Sequence, residues 1–597
     1  MPKRGPSRIG SKEKRTRWQK KEATEAQDAT GPSAATGPHK AVRRSSLRAG
    51  LAVVGGRAAG ALSRRLHLGG GTSIVGVVAE RLYPGIVDHL ASQLEYGSIL
   101  VTGTNGKTTT SGLIAAILND AGLRVWRNRE GSNMMRGIAS SLVVRALPNG
   151  RLRRSGRAIS IFEVDEAVVP RALKSITPRI AVFTNLFRDQ LDRFGEVDSV
   201  ATRWQTAIQA LATGTMLILN ADDPATAQLG REYAGPVLYY GIDTPSVDLT
   251  GQQASASQGQ HQAIDTRTCP KCGSEYSYDM RFYSHMGHYV CTNCGLSRPQ
   301  PDVRAVQVEA NGFDRLRIQV DTADGQQSIV VPLPGLYNIY NALAAIAVAQ
   351  ALQISWEPVK SGIEQFKPVF GRGERVQVGG RTVHLLLAKN PTGFNEVLRT
   401  LFSTGAARNV LFVLNDNIAD GRDISWIWDV DLERIVGQVA TLVVGGTRSL
   451  DLALRLKYAG IDEKDMTIIP PSPLRSLQRI VAHERERGGE TGKRSATRQA
   501  YRGKFLQSRR EKPLEGPETA ASSGGVAAVT AEADEPAQVT EKTTKHAGIA
   551  EAFDSAIRQT PVGETLFVVP TYTGLLEIHR LLEQRGLTPH YWEERDE

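Results

Sequence analysis

Short apolar runs alternate with longer stretches of helix length along most of the chain. The apolar runs are SILVTG, ISIFEV, RIAVFTN, TMLILN, VLFVLN, ATLVVGG and TLFVVP. The helix-length stretches include TTTSGLIAAILNDAG and NIYNALAAIAVAQALQ. This alternation predicts an α/β architecture with largely parallel sheets.

Two segments lack this pattern. Residues 1–47 are rich in Gly, Pro, Ser, Ala and charged residues and are predicted to form a disordered basic arm. Residues from about 484 to 545 have no periodic apolar face and predict a disordered insert. The remainder predicts a central domain over 48–376, which includes a helical lead-in, and a C-terminal Rossmann-like α/β domain over 377–597.

Length and composition favour a multidomain protein without membrane spans. The chain of 597 residues is too long for one core, and its 41% apolar content is ordinary for a soluble protein. There is no run of about eighteen uncharged apolar residues. The N-terminus also lacks the apolar core of a secretory signal, so a cytoplasmic location is predicted.

The positive charge is concentrated in the arm. Residues 1–47 hold twelve Lys and Arg against four Asp and Glu, which gives +8 of the total net charge of +11. A solvated arm is favoured over contact with an anionic membrane or nucleic acid. Nucleic-acid binding by the folded part is therefore not expected.

The segment SILVTGTNGKTTTSGLIAAIL places a strand, a glycine loop and a helix in succession. In this context backbone N–H groups and a helix N-terminus hold phosphate. Because Val101 stands where the common P-loop has glycine, the loop is a shortened relative of it. We expect Lys107 to contact the outer phosphates of ATP and the Thr108 hydroxyl to contact Mg²⁺. The predicted nucleotide-binding residues of the loop are Gly103, Thr104, Asn105, Gly106, Lys107, Thr108 and Thr109.

Five further segments follow in order: EVDEA, TNLFRDQLDRFG, LNADDP, LPGLYNIYNALAA and FGRGERV. Together with GTNGKTTT they resemble the motifs of Mur ligases and folylpolyglutamate synthases, over about residues 95 to 450. The resemblance implies a Mur ligase-like central P-loop ATPase domain. It also implies an ATP-dependent carbon–nitrogen ligase, in which ATP phosphorylates a carboxylate and an amine then displaces the phosphate.

The same resemblance assigns roles to individual residues. Glu163 is expected to bind Mg²⁺ together with Thr108, and Asp165 and Glu166 are secondary candidates. Solvated carboxylates at a strand end are the alternative. A further set is expected at the nucleotide and the reaction centre: Asn338 on the adenine side, Asn341 at the reaction centre, and Arg372 beside the phosphates. Helix capping is the alternative for the two asparagines.

Several positions depart from the family pattern. No lysine occurs between Lys174 and Lys271, where amino-acid-adding Mur ligases carry a carbamylated lysine, and Gln190 replaces a family histidine. Leu386 stands in place of a ribose-binding aspartate, and Lys389 in place of a histidine. The second magnesium and the ribose contact are therefore in doubt. Lys389 remains a predicted cofactor-binding residue, and the departures predict a different amine.

The four cysteines of the chain have the spacing C-x₂-C-x₁₈-C-x₂-C. This spacing is typical of tetrahedral zinc, so a zinc ribbon is predicted over 265–298. Disulfides or redox thiols are the alternatives. His285 and His288 are interpreted as fold or surface residues. Stability or partner docking is the favoured role of the ribbon. The predicted zinc ligands are Cys269, Cys272, Cys291 and Cys294.

Within the family, the ribbon and the segments NREGSNMMRGI and DNIADGRDISWIWDVD resemble synthetase subunits that act on lipid II. That resemblance implies amidation of the α-carboxylate of D-glutamate in the stem peptide, with ammonia that a GatD-like glutaminase takes from glutamine. Glutamine hydrolysis in class I amidotransferases needs a thiolate, and every cysteine here is already assigned to zinc. A folylpolyglutamate synthase-like ligase and a zinc-ribbon nucleic-acid-binding protein are the alternatives. The predicted location is the cytoplasm, with the inner face of the cell membrane as a more specific alternative.

The segment NDNIADGRDISWIWDVD, residues 415–431, is rich in carboxylates. A calcium loop is excluded because Ile418, Ile424 and Ile427 would fall on ligand positions. The resemblance places one aspartate of this segment at the domain cleft. We predict that Asp423 orients ammonia or takes a proton from ammonium, with Asp416 as second candidate. Turn, cap and packing roles are predicted for Asp420, Asp429, Asp431, Trp426 and Trp428.

Overall fold

The described residues of the computed structural model are 46–66, 72–128, 134–153, 157–189, 197–247, 266, 268–310, 315–367, 371–471 and 538–588. The predicted arm lies outside them except for its last two residues. The predicted insert at 484–545 also lies outside them, except that a helix begins at Gln538. Residues 538–545 are therefore helical, not loop. The chain after Ile549 in this helix is held by burial of apolar residues such as Phe553.

The first sheet has nine strands in the order β11-β10-β9-β6-β5-β4-β1-β3-β2. Strands β6 to β2 in this order run parallel, and β9, β10 and β11 form an antiparallel meander at one edge. The strands are β1 Ser98–Thr102, β2 Arg124–Arg127, β3 Ala158–Glu163, β4 Ile180–Phe183, β5 Met216–Asn220, β6 Val237–Ile242, β9 Val303–Ala310, β10 Leu316–Thr322 and β11 Gly325–Val331. A hairpin of β7 Tyr276–Tyr283 and β8 Met286–Cys291 lies between β6 and β9 in the chain.

Helices cover both faces of this sheet. One face packs against α4 Lys107–Asp120, α9 Tyr337–Ala351 and α10 Trp356–Glu364. The other face packs against the lead-in and later helices: α1 Leu47–Arg65, α2 Thr72–Leu82, α3 Ile86–Ala91, α5 Met135–Arg145, α6 Val169–Ile176 and α7 Val197–Gln209. A short helix, α8, spans Pro224–Gln228. Because helices bury both faces, the central strands are apolar throughout, as the sequence pattern predicted.

The second sheet has six strands in the order β12-β13-β17-β14-β15-β16, and all pairs are parallel except β12 with β13. Its elements are β12 Arg372–Val378, β13 Arg381–Leu386, α11 Pro391–Phe402, β14 Arg408–Val413, β15 Val439–Gly445, α12 Ser449–Tyr458, β16 Thr467–Ile468, α13 Gln538–Gln559, β17 Thr565–Pro570 and α14 Tyr572–Gln584. Helices α11 and α12 cover one face, and α13 and α14 the other. This sheet begins five residues before the predicted boundary at 377.

The predicted α/β architecture, with two largely parallel sheets, one in the central part of the chain and one in the C-terminal part, is confirmed. Both sheets are mostly parallel, so the carboxyl ends of their strands gather loops at one edge, where open α/β sheets bind ligands. Among the described helices, none is both long enough and apolar enough to cross a bilayer.

Candidate active site

A cavity of about 490 Å³ lies between the two α/β domains. The central domain contributes the loop after β1, the end of β3 and the start of α9. The C-terminal domain contributes the end of β13, the start of α11 and two residues of the carboxylate-rich segment, Ile418 and Ala419. The cavity therefore collects strand ends from both sheets.

The glycine loop is built for close approach of backbone to a ligand. Gly103 and Gly106 have φ values of 132° and 85°, in the region that favours glycine. A Cβ at Gly106 would lie 2.1 Å from Asn341 Oδ1, and one at Gly103 would lie 2.1 Å from Thr184 Oγ1. Helix α4 begins at Lys107 directly after this loop, so its N-terminal N–H groups are at the cavity.

Lys107 is held at the centre of the site by acceptors from the loop and by one carboxylate. Its Nζ donates to the Gly103 carbonyl at 2.5 Å and lies 3.2 Å from Glu166 Oε2. Burial raises the pKa of Glu166, but the charges of Lys107 and Lys389 outweigh burial and lower it to about 2. Glu166 is therefore an anion that balances two ammonium groups.

Thr108 and Glu163, the predicted magnesium ligands, are adjacent. The Thr108 hydroxyl donates to Glu163 Oε1 at 2.7 Å. Asn128 holds the Glu163 backbone in place, because its side chain accepts from the Glu163 N–H at 2.9 Å and donates to the Glu163 carbonyl at 3.0 Å. A hydroxyl and a carboxylate are hard oxygen ligands of the kind Mg²⁺ prefers, so the residues fit this ion.

A second buried carboxylate lies beside this pair. Asp165 is 7% exposed, and its Oδ1 has no hydrogen-bond partner among the described residues. Burial and the nearby charge of Glu166 raise the pKa of Asp165 to about 6. An unpartnered carboxylate oxygen at this place is suited to a cation, so Asp165 remains a candidate ligand.

Asn338 and Asn341 lie side by side in the first turns of α9. Asn341 Oδ1 accepts from the Thr110 hydroxyl at 3.1 Å, and Asn341 Nδ2 donates to Asn338 Oδ1 at 2.9 Å. Neither side chain caps α9, because the residue before the helix is Leu336 and no side chain caps its first turn. The helix-capping alternative is therefore not supported, and both residues line the cavity.

Lys389 reaches from the C-terminal domain to the central domain. Its Nζ donates to Asp189 Oδ2 at 2.5 Å, and the Asp189 side chain is only 4% exposed. Burial lowers the pKa of Lys389, but the charges of Asp189, Glu166 and Asp165 outweigh this effect and raise it. Lys389 is thus a fixed cation that ties the two domains together beside the phosphate loop.

The remaining family positions are placed as follows. Leu386 lines the cavity, where it offers no polar contact to a ribose. Arg372 begins β12 and pairs with Leu386, and its side chain lies outside the described part of the structure. Gln190 also lies outside the described residues.

The four cysteines converge as their spacing predicted. Their Sγ atoms all lie within 4.8 Å of one another, with Cys269 and Cys294 at 3.5 Å and Cys272 and Cys291 at 3.4 Å. Zinc–sulfur bonds of about 2.3 Å place tetrahedral thiolates at about this separation. The donor set therefore fits Zn²⁺, which would join the two ends of the β7–β8 hairpin.

The tip of this hairpin forms part of the cavity wall, a feature that the sequence did not reveal. Tyr283 lines the cavity and stacks on Phe187 with ring centroids 6.0 Å apart. Phe187 and Thr104 of the phosphate loop exchange two hydrogen bonds, from Phe187 N to Thr104 Oγ1 at 3.0 Å and from Thr104 Oγ1 to Phe187 O at 3.2 Å. On the other side, Arg399 of α11 donates to the Phe282 carbonyl at 2.6 Å. The ribbon tip thus connects the loop to the C-terminal domain.

The two ribbon histidines lie outside the cysteine cluster, as expected. His285 is fully buried and its Nε2 lies 3.5 Å from Asp223 Oδ1. His288 Nε2 lies 2.9 Å from the Ile242 carbonyl. Both are therefore placed as fold residues.

The carboxylate-rich segment is placed differently from the expectation. Asp423 is exposed and accepts a hydrogen bond from the Ser425 N–H at 2.8 Å, which lowers its pKa. It does not line the described cavity, because the segment turns at Gly421 and presents Ile418 and Ala419 instead. Its role toward ammonia remains a prediction that this geometry does not support.

The other acidic residues of the segment have structural contacts. Asp416 accepts from the Thr447 hydroxyl at 2.8 Å, and Asp420 accepts from the Thr573 N–H at 2.8 Å. Asp429 lies 3.2 Å from Arg188. Asp420, which is 4% exposed, ties the segment to α14.

Sequence reasoning missed Asp189, Tyr283 and Glu396 of the cavity wall. Asp189 had a signal, since it lies in the motif TNLFRDQLD. Tyr283 and Glu396 had none, since each comes from an element whose local sequence gives no indication of the cavity.

Comparisons with known proteins agree with the architecture. Residues 101–294 match the Mur ligase middle domain, and residues 387–491 match the MurT ligase C-terminal domain. The subunit MurT of the glutamine-hydrolysing lipid II isoglutaminyl synthase of Staphylococcus aureus strain COL is 35% identical over 394 residues, 66% of this chain and 84% of that protein. The subunit of the same name from Streptococcus pneumoniae strain ATCC BAA-255/R6 is 33% identical over 71% of this chain and 89% of that protein.

Solved structures share the fold at low identity. A pseudomurein peptide ligase type C from Methanothermus fervidus has a TM-score of 0.53 at 21% identity, over 82% of this chain and 79% of that one. A UDP-N-acetylmuramoylalanyl-D-glutamyl-2,6-diaminopimelate–D-alanyl-D-alanyl ligase from Acinetobacter baumannii has a TM-score of 0.50 at 15% identity, over 85% of this chain and 80% of that one.

Proposed function

The chain belongs to the MurT family of Mur ligases, and we propose that it is the synthetase subunit of a lipid II isoglutaminyl synthase. In this role it amidates the α-carboxylate of D-glutamate in the stem peptide of lipid II, at the inner face of the cell membrane. The observation that carries the proposal is an intact phosphate loop, with Lys107, Thr108 and Glu163, facing a cavity that Lys389 of the second domain closes.

The cavity residues divide the work of ligation. The glycine loop and the N-terminus of α4 hold the phosphates of ATP, and Lys107 neutralises the outer ones. Thr108 and Glu163 hold Mg²⁺, with Asp165 as a further candidate. Bound ATP supplies the phosphoryl group that turns the substrate carboxylate into an acyl phosphate. Asn341 lies beside Gly106 and is positioned to orient the group that reacts there.

The C-terminal domain lines one side of the cavity. Lys389 and Asp189 form an ion pair across the domain boundary, and the Asp189 side chain is 4% exposed. An acyl phosphate hydrolyses readily in water, so a closed cavity favours attack by ammonia over attack by water. Positioning and charge neutralisation provide most of the rate enhancement in such a site.

The nitrogen donor is ammonia made by a separate glutaminase. The chain has four cysteines, and all four are in the cluster that fits zinc. A class I glutaminase needs a cysteine thiolate, so this chain has none to offer. The partner is accordingly a GatD-like glutaminase.

The test is reconstitution with a candidate glutaminase. The complex is incubated with lipid II, ATP, Mg²⁺ and either glutamine or ammonium chloride, and amidated stem peptide is detected by mass spectrometry. We expect amidation with both nitrogen sources in the complex, and with ammonium chloride alone for the isolated chain. Lys107→Met should abolish both. Unchanged lipid II from a folded, ATP-binding complex would overturn the proposal, as would ATP-dependent addition of glutamate to a folate substrate.

A further inference from the structure

Helix α1 presents its large apolar side chains to solvent. Leu47, Leu51, Val54 and Leu62 are 90%, 70%, 50% and 58% exposed. With 3.6 residues per turn, these positions form one continuous stripe along the helix. The buried face of the same helix carries mostly small residues: Ala49, Gly50, Ala52, Val53, Gly56, Gly60 and Ser63. The orientation is the reverse of an ordinary surface helix, which buries its leucines.

Close backbone contacts fix this orientation. A Cβ at Gly50 would lie 2.5 Å from the Pro148 carbonyl oxygen, and one at Gly56 would lie 2.7 Å from the Val75 carbonyl oxygen. Leucine side chains do not fit on a face that approaches other backbone so closely. The helix therefore cannot rotate to bury its stripe without losing this packing.

Arginines flank the exposed stripe, and α1 contains no Asp or Glu. Arg48 lies about a quarter turn to one side of the stripe, and Arg57 and Arg64 lie about a quarter turn to the other. Arg57 also donates to the Val144 carbonyl at 2.6 Å, which joins α1 to the end of α5. An apolar face bordered by cations on both sides is typical of helices that lie in the interface of an anionic bilayer.

A second exposed leucine extends the same surface. Leu82 at the end of α2 is 54% exposed, and its Cδ1 would lie 2.6 Å from a Cβ at Gly55 of α1. The patch therefore combines apolar area and positive charge on one side of the central domain.

We propose that the exposed face of α1, formed by Leu47, Leu51, Val54 and Leu62 and bordered by arginines, docks on an anionic lipid surface. The leucines enter the acyl boundary, and the exposed Arg48 and Arg64 contact the phosphates of the headgroups. A second copy of the chain fits less well, because two like-charged helices would repel. A nucleic acid would use the arginines and leave the leucines exposed. The inference rests on the proposed function, because docking on a lipid surface would bring the active site close to a lipid-linked substrate.

The first test measures vesicle binding by the full chain, without any assay of ligation. Vesicles of phosphatidylglycerol and phosphatidylcholine, and vesicles of phosphatidylcholine alone, are sedimented with wild type and with Leu47→Ser/Leu51→Ser/Leu62→Ser. We expect wild type to bind the anionic vesicles, and the triple variant to bind them about tenfold less or weaker still, since each leucine contributes apolar burial. The matched control is Leu450→Ser/Leu454→Ser on α12, two residues that are 45% and 49% exposed, which should bind within about twofold of wild type.

A second test separates the helix from the arm and from activity. A chain that lacks residues 1–45 should keep leucine-dependent binding at low salt, with a weaker electrostatic contribution. In the complex, the triple variant should lose kcat/KM only on vesicle-embedded substrate and keep it on a water-soluble short-chain analogue. If ligation fails altogether, vesicle binding still decides this inference.

Three results would overturn it. The triple variant could bind anionic vesicles as wild type does. Deletion of residues 1–45 could abolish all binding while the folded domains stay intact by circular dichroism. Sedimentation velocity could show that the leucines mediate self-association of a wild-type chain that does not bind vesicles.

Discussion

Replacement of Lys389 by methionine should weaken the contact between the two domains and slow ligation, while each domain stays folded. Lys389 Nζ lies 2.5 Å from Asp189 Oδ2, and this ion pair crosses the cavity between the domains. Its charge also interacts with Glu166 and Asp165. Methionine keeps the length and the apolar stem of the side chain but removes the charge.

The size of the effect follows from burial. Breaking a buried ion pair by removing one partner costs about 3 to 5 kcal/mol, because the other charge is left uncompensated. The Asp189 side chain is 4% exposed, but that of Lys389 is 30% exposed, so water replaces part of the loss. A cost of about 2 to 3 kcal/mol is therefore expected. At about 1.4 kcal/mol per factor of ten, a loss of this size in the transition state would lower kcat/KM for ATP about 30- to 150-fold.

The assay compares ADP release and amide formation across a double-mutant cycle of Lys389→Met and Asp189→Asn. Because the double variant removes both charges, it should be less impaired than the sum of the single variants, by about 1 to 3 kcal/mol. The matched control is Lys457→Met, an exposed lysine that lies 3.6 Å from Glu463 and should have no effect on either rate. Urea unfolding checks that each variant folds. Rates for Lys389→Met within threefold of wild type, or strict additivity in the cycle, would refute the reasoning.

Three other predictions test the ribbon, one histidine and the carboxylate-rich segment. Cys272→Ser should release zinc, measured with a chromogenic chelator, and raise the KM for ATP about tenfold. Tyr283→Ala should raise the KM for ATP by a similar factor. Tyr283→Phe keeps the aromatic ring in the cavity wall and serves as the control. For His579, burial lowers the pKa, but hydrogen bonds and charge from Glu374 and Glu583 outweigh it and raise the pKa overall. Protonated His579 therefore stabilises the fold fully below its unfolded pKa of about 6.5, and this stabilisation is lost as pH rises through the higher folded pKa. Urea unfolding at pH 6 and pH 8.5 should show a smaller fall in the free energy of unfolding for His579→Gln than for wild type. Because Asp423 is exposed and outside the cavity wall, Asp423→Asn should use free ammonium at a rate within about twofold of wild type. If the variant forms the acyl phosphate but no amide, Asp423 does act on ammonia, as the sequence predicted.

Local patterns accounted for what the sequence predicted well. Apolar runs and helix-length segments are sufficient to predict the parallel sheets, since a buried strand is recognisable from the apolar residues of the strand itself. The glycine loop and the cysteine tetrad were found for the same reason, because their spacing is fixed over a few positions. The pairing of Lys389 with Asp189 was out of reach, since the two residues are 200 positions apart and meet only through the packing of two domains. The exposed position of Asp423 was out of reach for a related reason, because a carboxylate-rich segment does not reveal which side chains its turn directs to the cavity.

Helix α1 shows a further limit of periodicity, and it bears on how the surface of this protein is used. A helical stripe of leucines ordinarily indicates the buried face. In α1 the opposite face, with Gly50, Gly56 and Gly60, is buried instead, because only small residues allow the close approach seen at the Pro148 and Val75 carbonyls. Burial by close backbone approach leaves the leucines exposed to solvent. Exposed apolar patches of this kind mark interaction sites. The apolar stripe is therefore the part of this surface available for binding, and substituting its leucines should alter association with lipid while leaving the unfolding free energy of the chain nearly unchanged.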